Sequence, residues 1–501
     1  MVRNRVFAHY LGTSDAADAF NAAFKIPNFL QNLFGEGVLS ASFIPVYARL
    51  LGREEQVEAG RVAGAVFSLL ALVTSTLVLI GVLLTPILID LIAPGFEGEK
   101  RAVTITLVRI LFPGAGLLVL SAWCLGVLNS HRRFFLSYTA PVLWNLTIIA
   151  TLIGLGRTTG GYRLAELTAW GSVVGSALQF LVQLPLALRL LGVLRLELGR
   201  RLESVRTVVQ NFVPVFIGRG VVQISAYVDT VLASLLPTGA VAALSYAQVL
   251  YTLPVSLFGM SVSAAELPAM SSAKGGEPER AAQLRGRLGR GLRQIAFFVV
   301  PSAVAFLALG DVVAGAVFQS GAFTREMTVY VWGILAGSAV GLLASTLGRL
   351  YASTYYALHD TRTPLRFAVI RVLLTIVLGY LSAIPLPGLL GIDRRWGVAG
   401  LAASAGIAGW VEFVLLRRTL NARIGNTGLP LSYTIRLWSS ALAAASAAWV
   451  VKLAVPREHP IVVALFSLGM YGVAYFAITA ELGVPEARRV LGRLPWPPRK
   501  G

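Results

Sequence analysis

Charged and polar side chains occur within one apolar stretch near the start of the chain. The stretch covers residues 15–48, and its polar members are Asp18, Lys25, Asn28, Gln31 and Glu36. A charge at the centre of a bilayer costs at least ~2.5–3.5 kcal/mol, so such side chains persist only where they face a bundle interior or a water-filled cavity. The segment therefore predicts a polar cavity inside a membrane protein, in which a solute is bound or moved.

Composition supports a membrane protein along the whole length. The chain has 501 residues, of which 56% are hydrophobic and only 13% are charged, whereas soluble proteins carry about 25% charged residues. Apolar segments long enough to cross about 30 Å of hydrocarbon recur throughout. We predict thirteen full spans at 17–48, 62–93, 102–128, 136–156, 165–191, 207–237, 240–270, 288–318, 327–358, 364–386, 396–418, 434–454 and 460–483. Residues 1–11 resemble the end of one more helix, so we expect the protein to start roughly 20 residues earlier.

The residues that usually hold metals or perform covalent chemistry are sparse. Cys124 is the one cysteine, so no disulfide can form within the chain, and the four histidines lack metal-ligand spacing. No D-x-D pair of a metal-dependent glycosyltransferase occurs. The sequence therefore predicts no catalytic residue, metal or cofactor.

The net charge of +19 follows the predicted topology and does not indicate a nucleic-acid partner. If the chain alternates sides at each span, 27 lysines and arginines fall in loops on one side and nine on the other. Short loops rich in Lys and Arg face the cytoplasm. The loop at 271–293 and the tail at 485–501 are therefore predicted to be cytoplasmic. Residues 271–293 could form an amphipathic surface helix or an ordinary basic loop.

Repeated sequence motifs predict two homologous halves. LFGEGVLSA at 33–41 returns as LFGMSVSAA at 257–265, and LNSHRR at 128–133 returns as ALHDTR at 357–362. Each half holds six helices, so both halves insert in the same orientation, related by an axis along the membrane normal. We predict an all-α integral membrane protein with two six-helix lobes in a pseudo-twofold arrangement and two extra C-terminal helices.

Two shorter patterns predict local structure. HDTRTP at 359–364 is typical of a helix start, with Asp360, Thr361 or Thr363 as the cap and Pro364 at the first helical position. The G-x-x-x-G-x-x-x-G pattern at 333–341 predicts a close helix–helix contact.

The segment PNFLQNLFGEGVLSASFIPVY at 27–47 resembles the signature of the MurJ (MviN) family of bacterial lipid II flippases. YAQVLYTLPVSLFGMSVSAAELP at 246–268 and YYALHDTRTP at 355–364 are similar to further family segments, in the same order. The resemblance implies a fourteen-helix member of the multidrug/oligosaccharidyl-lipid/polysaccharide (MOP) exporter superfamily, with a cationic cavity between its lobes. It implies an N-terminal lobe at 1–200, a C-terminal lobe at 201–425, a lipid-tail groove at 426–484 and a basic cytoplasmic tail at 485–501.

The same resemblance supplies a set of expected binding residues. Arg3 takes the place of a helix-1 arginine, and Asp18 and Glu36 match acidic positions of helix 2. Gln31 and Val249 stand where the family has arginines that hold a diphosphate. The predicted substrate-binding set is Arg3, Asp18, Lys25, Asn28, Gln31, Glu36, Gln248 and Arg349.

The function that the resemblance implies is the flipping of lipid II by alternating access in the bacterial cytoplasmic (inner) membrane, for cell-wall synthesis. The expected partners are undecaprenyl-diphosphate-linked muropeptide (lipid II), membrane lipid and the cell-wall synthesis machinery. Three alternatives stay open: export of another polyprenyl-linked saccharide or small solute, a degenerate non-transporting paralogue, and a polyprenyl-phosphate glycosyltransferase.

Overall fold

A computed structural model describes residues 1–191, 202–272, 276–455 and 459–491. Within those ranges the backbone is helical apart from turns and one isolated bridge between Ser320 and Phe323. The expectation of an all-α protein is confirmed.

The described residues of the first half, 1–191 and 202–239, fold into ten α-helices. They are α1 Val2–Leu11, α2 Asp15–Phe34, α3 Glu36–Ser42, α4 Ile44–Gly52, α5 Gln56–Leu83, α6 Thr85–Ile92, α7 Gly98–Ser130, α8 Phe134–Leu155, α9 Gly161–Leu191 and α10 Glu203–Ser234.

In the second half, the part of the chain that the structure describes holds ten more α-helices, one π-helical segment and one 3₁₀ turn. They are α11 Ala240–Pro254, the π segment Val255–Met260, α12 Ser261–Ser271, α13 Glu277–Phe318, α14 Arg325–Ala357, α15 Arg362–Ala383, α16 Pro385–Leu389, the 3₁₀ turn Arg394–Trp396, α17 Gly397–Ile424, α18 Leu431–Ala454, α19 Pro460–Glu481 and α20 Pro485–Leu491.

Eleven helical segments of the described residues are long and apolar enough to cross a membrane. They correspond to eleven of the thirteen predicted spans. The predicted span at 17–48 is instead divided into α2, α3 and α4, because the helix stops at Gly35 and again at Phe43. The predicted span at 207–237 is the 32-residue helix α10, which is not among the eleven. The total of fourteen helices stays a prediction.

The chain divides into two compact units, Val2–Ala242 and Ala243–Gly501. In the N-terminal unit, α7 packs against α2, α5 and α9, and α8 packs against α9. Helix α10 also belongs to this unit, since it contacts α2, α3, α4, α5 and α6. The compact units therefore do not divide at residue 200, where we placed the boundary of the predicted lobes. That lobe boundary stays a prediction.

The core of the N-terminal unit is built around α7. Trp123 is fully buried, and its indole Nε1 donates to the carbonyl of Ala63 at 3.1 Å. Phe43, Tyr47 and Val119 are buried in the same cluster. An indole buried with its N–H satisfied supplies apolar contact without leaving a polar atom unpaired.

The C-terminal unit is organised by α14, which packs against α13 and α17. The predicted close contact is confirmed: a Cβ on Gly341 would lie 2.3 Å from Gly406 Cα, and one on Gly337 would lie 2.4 Å from the carbonyl oxygen of Ala399. Glycine lets the two backbones approach to distances that any side chain would prevent.

Helices α18 and α19 pack against each other and against α13. Tyr471 and Tyr475 donate to the carbonyls of Pro301 and Phe297, each at 2.7 Å. Trp449 Nε1 donates to Ala308 at 2.9 Å. These hydrogen bonds fix the two extra helices to the C-terminal unit.

The turns that follow α7 and α14 have the same geometry. Arg132 and His359 both have φ of 59°. The N–H of Arg133 donates to Leu128 at 2.9 Å, and the N–H of Asp360 donates to Tyr355 at 3.0 Å. The turn geometry therefore repeats after 227 positions, one position fewer than the spacing between His131 and His359.

Two local predictions are partly corrected. Residues from Glu277 onward are helical, but they form the beginning of the 42-residue helix α13 and not a separate surface helix; residues 273–275 lie outside the described residues. Helix α15 begins at Arg362, so Pro364 is its third residue. Thr361 is the N-cap residue, and its side chain makes no capping hydrogen bond. The Asp360 carboxylate, one residue earlier, accepts from the N–H groups of Arg362 and Thr363 at 3.1 and 3.0 Å instead.

Candidate functional site

A cavity of about 710 Å³ opens within the N-terminal unit, between α2, α3, α7, α8 and α9. Its walls are mostly polar although the helices around it are apolar. The residues that line it are Gln31, Asn32, Gly35, Glu36, Gly37, Ser40, Leu118, Ser121, Ala122, Leu125, Pro141, Trp144, Asn145 and Gln179. Two of the predicted binding residues, Gln31 and Glu36, are therefore brought together in one cavity.

The break at Gly35 positions these two side chains. A Cβ on Gly35 would lie 2.2 Å from the carbonyl oxygen of Gln31, a distance that real side chains do not adopt. Glycine therefore allows α2 to end at Phe34 and α3 to begin at Glu36 within a single residue. Gln31 then reaches the cavity from the end of α2, and Glu36 reaches it from the start of α3.

A buried polar network forms part of the wall. Gln179 Nε2 donates to Ser121 Oγ at 3.0 Å, and Ser121 Oγ donates to Gln183 Oε1 at 3.3 Å. Gln179 Oε1 and Gln183 Nε2 have no hydrogen-bond partner among the described residues. Buried polar atoms are nearly always hydrogen-bonded, so each exception calls for an explanation.

Trp144 forms another part of the wall. Its indole Nε1 donates to Ser172 Oγ at 3.0 Å, so it is not free to bind a ligand. Its ring stacks with Phe24, with centroids 5.8 Å apart. The guanidinium carbon of Arg3 lies 5.3 Å from the Trp144 ring centroid, within range of a cation–π interaction. Arg3, a predicted binding residue, therefore borders the cavity through Trp144.

No positively charged side chain occurs among the lining residues that the structure describes. Among the described lining residues, Glu36 is the one ionisable group, and it is exposed. Neither lysine nor arginine occurs in that set. The cavity therefore offers amide and hydroxyl groups and one carboxylate.

Asp18 occupies an internal ion pair and does not line this cavity. Its carboxylate accepts from Lys100 Nζ at 2.7 Å, from the N–H of Gly239 at 2.7 Å and from the N–H of Ala242 at 2.8 Å. The side chain is almost completely buried. We expected Asp18 to line the cavity, but its carboxylate is already satisfied by Lys100 and by the first turn of α11. Lys100 lies between two predicted spans, in a segment that we interpreted as a loop.

Lys25 and Asn28 also lie outside the cavity lining. Lys25 Nζ donates to Thr230 Oγ1, and the hydroxyl of Tyr227 donates to the carbonyl of Lys25 at 2.8 Å. Asn28, one turn further along α2, is half-buried. These contacts join α2 to α10.

Gln248 and Arg349 belong to the C-terminal unit. Gln248 is half-buried on α11, and Arg349 is exposed on α14. Arg371 on α15 forms an interhelical pair with Glu412 on α17 at 3.2 Å.

Sequence reasoning missed Ser121, Trp144 and Gln179 as members of the site. Gln179 and Gln183 are four residues apart on α9, hence on one face of an otherwise apolar helix, and this pattern could have identified them. The described residues contain no group of His, Cys, Asp and Glu that could hold a metal ion.

Comparisons with known proteins agree with one another. The family model described as lipid II flippase MurJ matches residues 7–479. A probable lipid II flippase MurJ of Rhizobium meliloti is 32% identical over 464 residues, covering 91% of this chain and 83% of the relative. The lipid II flippase MurJ of Burkholderia cenocepacia is 30% identical, covering 79% of this chain and 77% of the relative.

Solved structures show the same fold. A lipid II flippase MurJ in an inward closed conformation superposes with a TM-score of 0.77 at 24% identity, covering 98% of this chain and 96% of that one. An inward-facing multidrug resistance MATE family transporter of the MOP superfamily gives a TM-score of 0.67 at 16% identity, covering 84% and 94%. With a family model matched over nearly the whole length and relatives of 30% identity or more, the chain belongs to the family described as lipid II flippase MurJ.

Proposed function

We propose that this chain moves lipid II across the bacterial cytoplasmic membrane by alternating access. Family membership supports the substrate, since the relatives carry that activity in their names. Eleven apolar helices support a multi-pass position in the membrane. No bond is made or broken in such a step, so the chain acts as a transporter and not as an enzyme.

The observation that carries the proposal is the polar cavity in the N-terminal unit. Its volume of about 710 Å³ lies within the range of small-molecule sites. A polar surface inside an apolar helix bundle is costly unless a polar ligand or water occupies it. A head group that must cross the hydrocarbon layer needs such a surface.

Arg3 supplies the charge for the diphosphate in this proposal. Its guanidinium lies beside the cavity wall, 5.3 Å from the centroid of the Trp144 ring. Arginine binds phosphate oxygens through two parallel, charge-assisted hydrogen bonds. The head group would then lie in the cavity with its diphosphate toward Arg3.

The polyprenyl tail is assigned to the predicted groove at 426–484. On α19, Leu465, Phe466 and Val473 are exposed apolar side chains, as expected for a surface in contact with acyl or prenyl chains. Cell-wall synthesis enzymes would supply lipid II on one face of the membrane and consume it on the other.

Rescue of a flippase-depleted bacterium tests this function. Expression of this chain should restore growth, and Arg3→Ala should abolish the rescue because the diphosphate loses its cation. Arg366→Ala is the matched control, since Arg366 is exposed at the start of α15. Membrane levels of all forms are compared by immunoblot. Full rescue by Arg3→Ala, or lack of rescue by an abundant wild-type protein, contradicts the proposal.

Gln31 favours a second candidate, the export of another polyprenyl-linked saccharide. Gln31 lines the cavity where the resemblance expects an arginine, and an amide cannot replace the charge of a guanidinium on a diphosphate. Adding Gln31→Arg and Val249→Arg distinguishes the two candidates. An increase in lipid II flipping supports the first, whereas no lipid II flipping by either form, with transport of another lipid-linked sugar, supports the second.

A further inference from the structure

A second cavity lies in the C-terminal unit, close to the ends of four helices, and has a volume of about 250 Å³. Helices α13 and α18 end near it, at Phe318 and Ala454. Helices α14 and α19 begin near it, at Arg325 and Pro460. The ends of membrane-spanning helices lie where hydrocarbon meets water. The predicted topology places these four ends on the face opposite the cytoplasm.

Two tryptophans form fixed walls of this cavity, Trp332 of α14 and Trp449 of α18. Their Nε1 groups donate to consecutive carbonyls of α13, those of Leu307 at 3.1 Å and Ala308 at 2.9 Å. Gly310 makes room for the first ring, since a Cβ there would lie 2.4 Å from Trp332 Cδ1. Both rings therefore lie within about two turns of the helix ends, the level at which tryptophan is enriched beside lipid head groups.

The described lining residues hold one carboxylate and two cations, which gives the cavity a net charge of +1. Lys452 Nζ pairs with Asp311 Oδ2 at 2.8 Å, and both side chains are mostly buried. The same ammonium lies 4.3 Å from the centroid of the Trp449 ring. Arg325 is exposed and forms no ion pair with another described residue. The charge that is not neutralised is therefore a guanidinium, the group best suited to phosphate oxygens.

Gln319 adds neutral donors to the same cavity. Its Oε1 accepts from Thr328 Oγ1 at 3.3 Å, which leaves the amide N–H groups for another partner. Gly315 leaves space for this amide, because a Cβ there would lie 3.2 Å from Oε1. Amide N–H groups and the guanidinium of Arg325 donate hydrogen bonds. The cavity therefore offers several donors to the oxygens of one anionic group.

The size of the cavity and its apolar border restrict the ligand further. A volume of about 250 Å³ is below the ~300–1,000 Å³ that encloses a drug-sized ligand. One phosphate with a short substituent fits, whereas a diphosphate joined to sugars is too large. Leu453 lines the cavity and is exposed, and Val450 and Ile461 are exposed near the same helix ends. A small phosphate group attached to apolar chains matches both features.

We propose that this cavity binds the head group of an anionic glycerophospholipid from the outer leaflet, with its phosphate against Arg325 and its acyl chains along α18 and α19. Phosphatidylglycerol carries one phosphate and a small uncharged glycerol, which suits a cavity of net positive charge. A choline head group would bring a further cation close to Arg325 and Lys452. The bound lipid contacts α14 and α18 together, so it strengthens the attachment of the two extra helices. The proposal does not depend on lipid II as the transported substrate.

Photolabelling of the purified full-length chain in lipid nanodiscs tests this site. The probes are phosphatidylglycerol and phosphatidylcholine with the same diazirine on one acyl chain, close to the glycerol. Mass spectrometry identifies the labelled peptides. Phosphatidylglycerol should label the end of α18 and the start of α19 about fivefold more than phosphatidylcholine, because the choline is repelled at short range. Equal labelling by the two lipids at these helix ends would overturn the proposal.

The variant Arg325→Gln should reduce phosphatidylglycerol labelling at these helix ends about tenfold, because charge-assisted hydrogen bonds to the phosphate are lost. Arg325 is exposed, so the substitution removes no buried contact. Arg394→Gln is the matched control. Arg394 is also exposed, lies outside the cavity and is predicted on the same face of the membrane, so its labelling should equal that of the wild type. Unchanged labelling in Arg325→Gln, or equal losses in both variants, would overturn the proposal.

Competition distinguishes a lipid from a free anion that offers the same phosphate chemistry. Excess unlabelled phosphatidylglycerol should abolish labelling at the two helix ends. Excess inorganic phosphate should not, because it lacks the acyl chains that contact α18 and α19. If inorganic phosphate displaces the probe as well as the lipid does, the cavity is a site for a soluble anion and the lipid proposal is wrong.

Discussion

The Asp18 carboxylate stabilises the fold, whereas the sequence analysis predicted that it binds the substrate. It accepts from Lys100 and from two backbone N–H groups, and it is almost completely buried. Lys100 also pairs with Asp15 at 2.8 Å, so the loss of Asp18 chiefly leaves the buried N–H groups of Gly239 and Ala242 without an acceptor. We therefore regard Asp18 as a residue that holds the N-terminus of α11 in place.

The variant Asp18→Ala should lower the free energy of unfolding by about 2 kcal/mol or more, because each buried N–H left without an acceptor costs about 1–3 kcal/mol. The matched control is Asp90→Ala, which removes the pair between Asp90 and Arg101 in the same unit, where Asp90 is exposed and Arg101 is partly exposed. Thermal unfolding in detergent should show a large drop in Tm for the first variant and little change for the second. Similar drops for both would contradict the structural role of Asp18.

Asp360 gives a pH-dependent prediction outside the membrane-spanning segments. Hydrogen bonds from the N–H and hydroxyl of Thr363, with a further contribution from Arg423, lower the pKa of this carboxyl from 3.8 to about 2. A carboxyl whose pKa is lowered in the folded state stabilises it above the unfolded pKa, and this stabilisation is lost as the pH falls toward the folded pKa.

The start of α15 should therefore loosen between about pH 4 and pH 2. Amide hydrogen exchange at Arg362 and Thr363, corrected for the intrinsic pH dependence, should report this loss of protection. In Asp360→Asn, protection should be weaker at pH 5 and should no longer change with pH over that interval. An unchanged pH profile in the variant would show that another group is responsible.

At the residue scale, the sequence identified polar side chains that interrupt an otherwise apolar segment. Gln31 and Glu36 were recognised because polar groups in an apolar segment need a polar environment. The partners of Asp18 could not be predicted, because Lys100 and Ala242 are distant in the chain and only the fold brings them together. Gln179 was missed because two amides one turn apart, Gln179 and Gln183, are a weak signal in a long, largely apolar helix.

At the scale of elements, the contact between α14 and α17 depends on glycine. A Cβ on Gly341 would lie 2.3 Å from Gly406 Cα, whereas nothing lies within 4 Å of a Cβ on Gly348 of the same helix. The variant Gly341→Ala should therefore destabilise the protein by about 1–3 kcal/mol through overpacking. Gly348→Ala should be neutral or stabilising, because alanine is the better helix former.

Unfolding titrations of both variants under one detergent condition check this prediction. The comparison is well controlled, because the two substitutions are chemically the same and lie two turns apart on one helix. If both variants lose the same stability, the close approach of α14 and α17 is not what makes Gly341 necessary.

Helix positions were largely predictable, because runs of apolar residues identify the spans directly. The interruption of the first predicted span could not be predicted from hydropathy. Helices end at Gly35 and Phe43 because of backbone geometry, which hydropathy does not describe. The repeated L-F-G motif gave a partial signal. It ends α2 at Gly35, and in the second half it falls inside the π segment Val255–Met260. Such π segments are frequent at functional sites.

At the scale of the whole molecule, the repeat and the distribution of basic residues both bear on topology. The equal turns at Arg132 and His359 support two related halves. Ser272 and Ala322 should then lie on opposite sides of the membrane, with Ser272 in the cytoplasm. Both are exposed, and Ala322 avoids Gly321, whose φ of 56° would strain a substituted side chain.

Cysteines introduced at these two positions, with the buried native Cys124 as an internal reference, can be labelled with a membrane-impermeant maleimide. In intact spheroplasts only Ala322→Cys should react, and in inverted vesicles only Ser272→Cys should react. Reaction of both from the same side would refute the predicted topology.

The central claim is that this chain moves lipid II by way of the polar cavity in its N-terminal unit. Its most direct test is lipid II translocation in proteoliposomes, compared for the wild type, Gln179→Leu and Gln210→Leu at equal reconstitution. Gln210→Leu is the matched control, since Gln210 is exposed on α10 away from the cavity. We expect protein-dependent translocation by the wild type and Gln210→Leu, and a rate about tenfold lower for Gln179→Leu. Translocation no faster than in empty liposomes, or a rate for Gln179→Leu equal to that of the wild type, would contradict the account.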